Sequence, residues 1–409
     1  MSGLGIPSRG FGGPRAGTFA PARKSALAKG LRKGGLLRSW DWLLILATLA
    51  LAGLGIVLVW AATAPSLRAA GQDPHSYLKK AILWAALGVV LMFVTASIDY
   101  RRFRRWTPAI YALSLLLLLA VLTPAGQSVN GAKAWIALPG GFQIEPSEFA
   151  KLAIVLSTAA IMSRQSDIGQ AAKGRPSLAA AGLAVLAAAP PIILVEREPA
   201  LGVMLVLVFT LIVMIVVSGI RLYWVMIGAA IAAGGIYLVS KAHLLKGYQL
   251  TRLTAFLHPQ ENLAGAGYNG YEAKIAVGSG GMHGVGLFHG TFTGGNFVPS
   301  VDTDFIFTVA GEELGFVGCA VIIGLLGFVV YRAIKAAQKT DDLFGMLVAV
   351  GVAAWFTFQS FVNIGMTIGL MPITGLPLPF ISYGGSAIFA DMIAVGLLQS
   401  VRRHRSLFG

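Results

Sequence analysis

Four groups of ionisable residues lie in or beside long apolar runs, where charge is costly and each such residue is a candidate for function. The first is NGAKAWIALPGGFQIEPSEFAKLAI, residues 130–154, with Glu145, Glu148 and Lys151 at the start of an apolar run. Glu148 and Lys151 are three apart and share a helix face. They can form a buried carboxylate–ammonium pair lining a polar cavity. Pro146-Ser147-Glu148 also reads as a helix start, with Pro in the first turn and acid at the positive dipole end. On that reading the group is a cap and one ion pair. The second group, Glu196, Arg197 and Glu198 ahead of Pro199, puts three charges in a very short turn, which can simply be solvated. The third is TRLTAFLHPQENLAGAGYN, 251–269, where Arg252, His258, Glu261 and Asn262 precede a Gly-rich turn. A carboxylate there can act as general base on a hydroxyl, and the glycines let backbone approach a bulky ligand. The fourth is VDTDFIFTVAGEELG, 301–315, with Asp302, Asp304, Glu312 and Glu313. Such acids can bind a divalent cation that contacts a pyrophosphate, or cap a helix.

Other chemistries find no support. The chain has no Walker motif, no GxGxxG after a strand and no HExxH, so nothing indicates nucleotide chemistry. Any energy for a reaction must arrive with the substrate. His258, His283 and His289 fit no strong metal spacing, and the metal ligands, if any, are unknown from sequence. The single Cys319 lies in an apolar run, as a buried, inert thiol does.

These groups must be held by membrane helices. The 409 residues are 56% hydrophobic and 12% charged, against roughly 25% charged for soluble domains. A helix crossing the hydrocarbon needs about 20 mostly apolar residues. Runs of that kind occur at 41–62, 79–97, 107–124, 146–163, 177–195, 200–218, 222–240, 305–331, 345–370 and 385–401. They predict an all-α polytopic membrane protein with about ten transmembrane helices. Pro190–Pro191 and the charges at 196–198 suggest a short turn within 177–218. A large loop at 241–304, between the seventh and eighth spans, is rich in Gly and aromatics and is expected to pack on the outer face.

The net charge of +15 would suggest nucleic acid on a soluble protein. Here basic residues flank the apolar runs, which points to topology and membrane lipid rather than nucleic acid. One set of loops holds Arg101, Arg102, Arg104, Arg105, Arg164, Arg221, Arg332, Lys335, Arg402 and Arg403. The opposite set is poorer in Lys and Arg, so both termini are expected in the cytoplasm. Residues 1–40 contain eight basic residues, such as Arg9 and Lys24, and no acid before Asp41. They predict a disordered basic cytoplasmic tail, with the transmembrane domain at 41–405.

Four segments carry a resemblance: NGAKAWIALPGGFQIEPSEFAK, GAGYN followed by KIAVGSGGMHGVGL, TDFIFTVAGEELGFVG, and GLMPITGLPLPFISYGGS at 369–386. Together they resemble the SEDS family, whose best-known members are RodA and FtsW, over about residues 40–405. The last segment's prolines and glycines imply a broken backbone buried in protein. The resemblance implies a peptidoglycan glycosyltransferase at the outer face of the bacterial cytoplasmic membrane, polymerising lipid II into glycan strands. It also implies a divalent cation (Mg or Mn) and a class B penicillin-binding protein partner. The tail AVGLLQSVRRHR is more similar to RodA, implying a role in elongation and cell shape.

Residue by residue, Trp135, Glu148 and Lys151 match the family's first-loop motif, Asp304 its Thr-Asp-Phe, and Glu312 and Glu313 its Gly-Glu-Glu-Leu-Gly. Arg252 joins them as a substrate-binding expectation. Three positions depart. Asn262 stands where the family has its catalytic Asp, Ala200 replaces the Asp of Gln-Pro-Asp-Leu-Gly, and Ser300 replaces a Glu. An amide cannot take a proton as a carboxylate can, which makes the neighbouring Glu261 the candidate base. Two other functions compete: a non-catalytic scaffold that binds lipid II and a partner enzyme, and a transporter of lipid-linked precursor. Transport is disfavoured by the outward clustering of polar groups and the lack of an evident inverted repeat.

Overall fold

The computed structural model describes residues 40–129, 132–138, 142–167, 176–221, 223–224, 226, 266–295 and 297–405. The basic segment expected at 1–40, apart from Trp40, lies outside them. So do nearly all of the expected span at 222–240 and the residues Arg252, Glu261 and Asn262. Everything described belongs to the unit Asp41–Gly409, except Trp40.

Three helices lead. α1 (Trp42–Ala69) begins where the Asp41 side chain accepts from Leu44 N at 3.2 Å. α2 (Ser76–Ser97) follows a short turn. α3 (Tyr100–Leu122) is capped by Asp99, which accepts from Arg101 N at 3.0 Å. Each cap satisfies an N–H that the first helical turn leaves free. α3 starts earlier than the apolar run at 107–124, because the Asp99 cap carries Arg101–Arg105 into its first turns.

A three-stranded antiparallel sheet comes next, built from β1 (Gly126–Val129), β2 (Ala132–Leu138) and β3 (Phe142–Ile144) in that order. Its register pairs Gln127 with Trp135 and Ile136 with Ile144. The all-α expectation is corrected here. A segment too short and too Gly-rich to span a membrane satisfies its backbone by pairing with itself.

α4 (Pro146–Asp167), α5 (Leu178–Arg197) and α6 (Leu201–Val217) follow. α5 runs through Pro190 and Pro191, so the turn expected there falls instead at 198–200. Within the region expected as one outer loop, α7 (Ala266–Ser279) and the single turn α8 (Thr291–Gly294) are helical. α9 (Ile306–Val309) passes through a π-helical turn at Ala310–Leu314 into α10 (Gly315–Gln338). That turn leaves carbonyls free: Val285 N donates to Glu312 O at 3.0 Å and Gly286 N to Glu313 O at 3.1 Å. α11 (Leu343–Thr367) and α12 (Gly385–Arg405) complete the bundle.

Among the described residues, α1, α2, α3, α5, the α9–α10 stretch and α11 are six helices long and apolar enough to cross a membrane. α6 is apolar but shorter. The other expected spans in the described region also fall on helices. Large apolar side chains such as Leu116, Leu186 and Val90 are exposed, which suits lipid rather than water. α11 is the central helix, with Trp355, Phe356, Gln359 and Asn363 all buried. α2 and α12 pack closely: a Cβ on Gly396 would stand 2.6 Å from Met92 O, so only glycine permits this approach.

Candidate active site

The site is assembled where α4 and α11 meet the segment between α11 and α12. Lys151 is buried and its Nζ lies 2.7 Å from Glu148 Oε2. The same ammonium donates to Gln359 Oε1 at 2.9 Å and stands 4.8 Å from the centre of the Trp355 ring. Trp355 Nε1 donates to the same Gln359 oxygen at 2.6 Å. With its oxygen thus used, the Gln359 amide points Nε2 at Pro377 O, 2.7 Å away. One turn along α11, Asn363 Nδ2 donates to Leu376 O at 2.6 Å and Asp304 O at 2.8 Å.

The carbonyls of Leu376 and Pro377 belong to the irregular segment 368–384, whose residues Thr374, Leu376, Leu378, Phe380, Ile381 and Ser382 are buried. Non-helical backbone at this depth must find its partners in the protein. Ser382 Oγ accepts from Leu378 N at 2.7 Å and donates to Thr303 O at 2.6 Å. Phe380 N donates to Asp391 Oδ2 at 3.0 Å, which steadies Phe380 at φ 66°. Tyr383 N donates to Asp302 O at 2.9 Å. The sequence stretches 302–304 and 369–386 are therefore one structural object, locked to α4 through Gln359.

Acid surrounds the pair. Ser147 Oγ donates to Glu145 Oε1 at 2.9 Å, and Glu145 N donates to Ser386 Oγ at 2.9 Å. Burial, then the neighbouring Glu148 carboxylate, pushes the Glu145 carboxyl up to about 8. Glu198, in the α5–α6 turn, is buried with neither carboxylate oxygen hydrogen-bonded among the described residues. Burial, then Glu145, pushes it up to about 9. Asp302 is also raised, by burial. Both shifts favour the protonated, uncharged carboxyl. Beside Asp302 lies a cavity of about 270 Å³, walled by Thr63, Ser66, Tyr77, Pro299 and Ser300.

The structure brings Glu148, Lys151 and the backbone of Asp304 together. Trp135 sits apart on β2, half-buried, opposite Gln127. Glu312 is used differently from the substrate contact expected of it. Its two oxygens accept from Phe292 N at 2.8 Å and Thr293 N at 2.9 Å, so it holds α8 in place. Glu313 likewise accepts from Phe288 N at 3.1 Å. Sequence reasoning missed Trp355, Gln359, Asn363 and Asp391. The signal was available, since a polar residue within an apolar run is a functional candidate. Among the described residues, no three His, Cys, Asp or Glu side chains converge closely enough to hold a metal.

A mostly helical membrane protein with a broken, buried segment pinned to an internal ion pair is the class these features define. A family model described as cell cycle protein, covering FtsW, RodA and SpoVE, matches residues 41–407. The chain belongs to that family, the SEDS proteins. It is 36% identical to a probable peptidoglycan glycosyltransferase FtsW of Trichlorobacter lovleyi, over 91% of this chain and 95% of that protein. It is 36% identical to stage V sporulation protein E of Bacillus subtilis, over 89% of this chain and 97% of that one. A solved chain from a peptidoglycan synthase complex matches with a TM-score of 0.72 at 31% identity, covering 90% of this chain and 98% of the other.

Proposed function

We propose that this chain is a peptidoglycan glycosyltransferase that polymerises lipid II at the outer face of the bacterial cytoplasmic membrane. The observation that carries the reading is the buried line Glu148–Lys151–Gln359–Pro377 O, which fixes the broken segment of a chain built as these glycosyltransferases are. In the reaction, a sugar hydroxyl of one lipid II attacks the anomeric carbon of another strand. The new glycosidic bond forms as the bond to the pyrophosphate breaks, and a base takes the hydroxyl proton. Glu261 is the proposed base, beside Asn262, and Arg252, Trp135 and Asp304 are proposed substrate contacts. Lys151, expected as a substrate contact, is held by Glu148 and Gln359 and is proposed to position the segment. Asp302 and Asp304 are the acids proposed to hold a divalent cation, which would supply positive charge to stabilise the leaving pyrophosphate.

About ten spans, both termini in the cytoplasm and a class B penicillin-binding protein partner complete the proposal. The finer part is a RodA-like role in elongation, resting on the tail AVGLLQSVRRHR. Relatives named FtsW and SpoVE are as similar, so that part is tested separately, by complementing elongation-defective and division-defective cells. Polymerisation is tested by incubating lipid II with this chain and its partner. Glu261→Gln should lower the rate by about 10²-fold or more. Asn262 favours a second reading, a scaffold that binds lipid II without polymerising it. Product from the Asn262→Asp variant alone would support that reading.

A further inference from the structure

A second cavity lies away from the proposed active site. It encloses about 820 Å³ between α3, α4, α5 and the start of α11. Glu148 and Arg164 are sixteen positions apart on α4, about 24 Å at 1.5 Å per residue, so the cavity sits at the opposite end of that helix. α11 agrees, with Asp342 and Phe344 at the cavity and Gln359 and Asn363 at the site.

The walls have two characters. Arg101, Arg104 and Arg105 occupy one face of α3's first turns, and Arg164 ends the facing stripe of α4. Among the described residues lining the cavity the only acid is Asp342, which caps α11 by accepting from Gly345 N at 3.0 Å. Further along the same α3 face come Pro108 and Tyr111, opposed by Ile161, Ala187 and Phe344. Tyr111 donates its hydroxyl to Ala187 O at 2.6 Å, so its polar tip is satisfied and its ring remains. From Arg101 to Tyr111 the face runs about 15 Å. Four guanidiniums at a mouth and an apolar wall behind them match an amphiphile with an anionic head.

We propose that this cavity binds an anionic glycerophospholipid of the inner leaflet, its phosphate among the four arginines and an acyl chain against the apolar wall. A volume of 820 Å³ is in the range of sites for sizeable organic ligands and far exceeds one inorganic phosphate. Guanidinium is the side chain suited to paired hydrogen bonds with phosphate oxygens, and basic pockets between membrane helices bind lipid head groups. The leaflet assignment rests on the orientation proposed above. The test uses no polymerisation assay, so its outcome is independent of the proposed reaction.

Full-length protein in detergent would be titrated with phosphatidylglycerol and, separately, with phosphatidylcholine of the same chains, and read by native mass spectrometry. Phosphatidylglycerol is expected to bind about tenfold more tightly. The Arg104→Gln/Arg164→Gln variant should lose that preference, and the single Arg164→Gln should lose part of it. The charge-keeping Arg104→Lys/Arg164→Lys should retain it, which separates lost charge from lost fold. Arg68→Gln, at the other end of α1, should behave as the parent. Equal binding of the two lipids, or a preference untouched by the glutamines, would overturn the proposal. Displacement of phosphatidylglycerol by inorganic phosphate alone would also overturn it, in favour of a small-anion site.

Discussion

Lys151 has a carboxylate, an amide oxygen and an indole face as its neighbours, and it is buried. Removing one member of such a pair leaves an uncompensated charge, at about 3–5 kcal/mol. Lys151→Met and Glu148→Gln should each lower thermal stability in detergent. The double variant should lose clearly less than the sum, because it strands no charge. Glu198 gives a pH signature. Its carboxyl lies near 9 in the folded chain against an ordinary 4.5. The folded state therefore holds this proton more tightly than the unfolded chain does. Its contribution is fully present below about pH 4.5 and is lost as pH rises toward 9, at up to about 1.4 kcal/mol per pH unit. Glu198→Gln should flatten that decline in a thermal-unfolding series from pH 5 to 9, and be the more stable protein at pH 8. An unchanged slope would show that Glu198 is ionised in the fold. At this scale the sequence showed the Glu148–Lys151 pair, since a spacing of three on a helix is local information. It did not show Gln359 as the pair's third member, because that contact joins residues 208 positions apart.

The broken segment 368–384 is the element on which the site depends. Its prolines and glycines were legible as irregular backbone, and burial of that backbone followed from the lack of water at membrane depth. Which side chains would satisfy it was not legible, because Gln359 and Asn363 reach it from α11, Asp391 from α12, and Ser382 folds back from within the segment. Gly55 shows how closely α1 approaches. A Cβ there would lie 2.6 Å from Ile381 Cα and O. Gly55→Val should push α1 off the segment, lowering folded yield and abolishing polymerisation, as measured by size-exclusion profile and product. Asp391→Leu should cost about 1–3 kcal/mol by orphaning Phe380 N, with a stability loss visible in the same melts. The sheet at 126–144 and the unbroken α5 escaped the sequence reading for opposite reasons. Short strands carry a weak period, and Pro within a membrane helix is tolerated once neighbours re-satisfy its carbonyls.

Among the described residues, one end of α4 and α11 collects positive charge and the other holds the Glu148–Lys151 pair and the broken segment. Asp41 ties the basic end together. It accepts from Arg332 Nε at 2.9 Å and pairs with Arg402, while its backbone N donates to Gln399 Oε1 and its backbone O accepts from Gln399 Nε2, joining α1, α10 and α12. Arg101, Arg104, Arg105 and Arg164 line the cavity at the same end of α4 and α11. Of the residues counted as basic from sequence, Arg101, Arg104, Arg105 and Arg164 thus share one end of the bundle. The central claim concerns the other end, where a buried pair fixes a broken segment for glycan polymerisation. Lipid II polymerisation by the purified chain with its penicillin-binding partner tests it most directly, with Glu261→Gln and Asn262→Asp alongside. The account predicts glycan strands from the parent chain and about 10²-fold less from Glu261→Gln. No product from the parent, with product from Asn262→Asp, would contradict it and identify an intact fold without chemistry of its own.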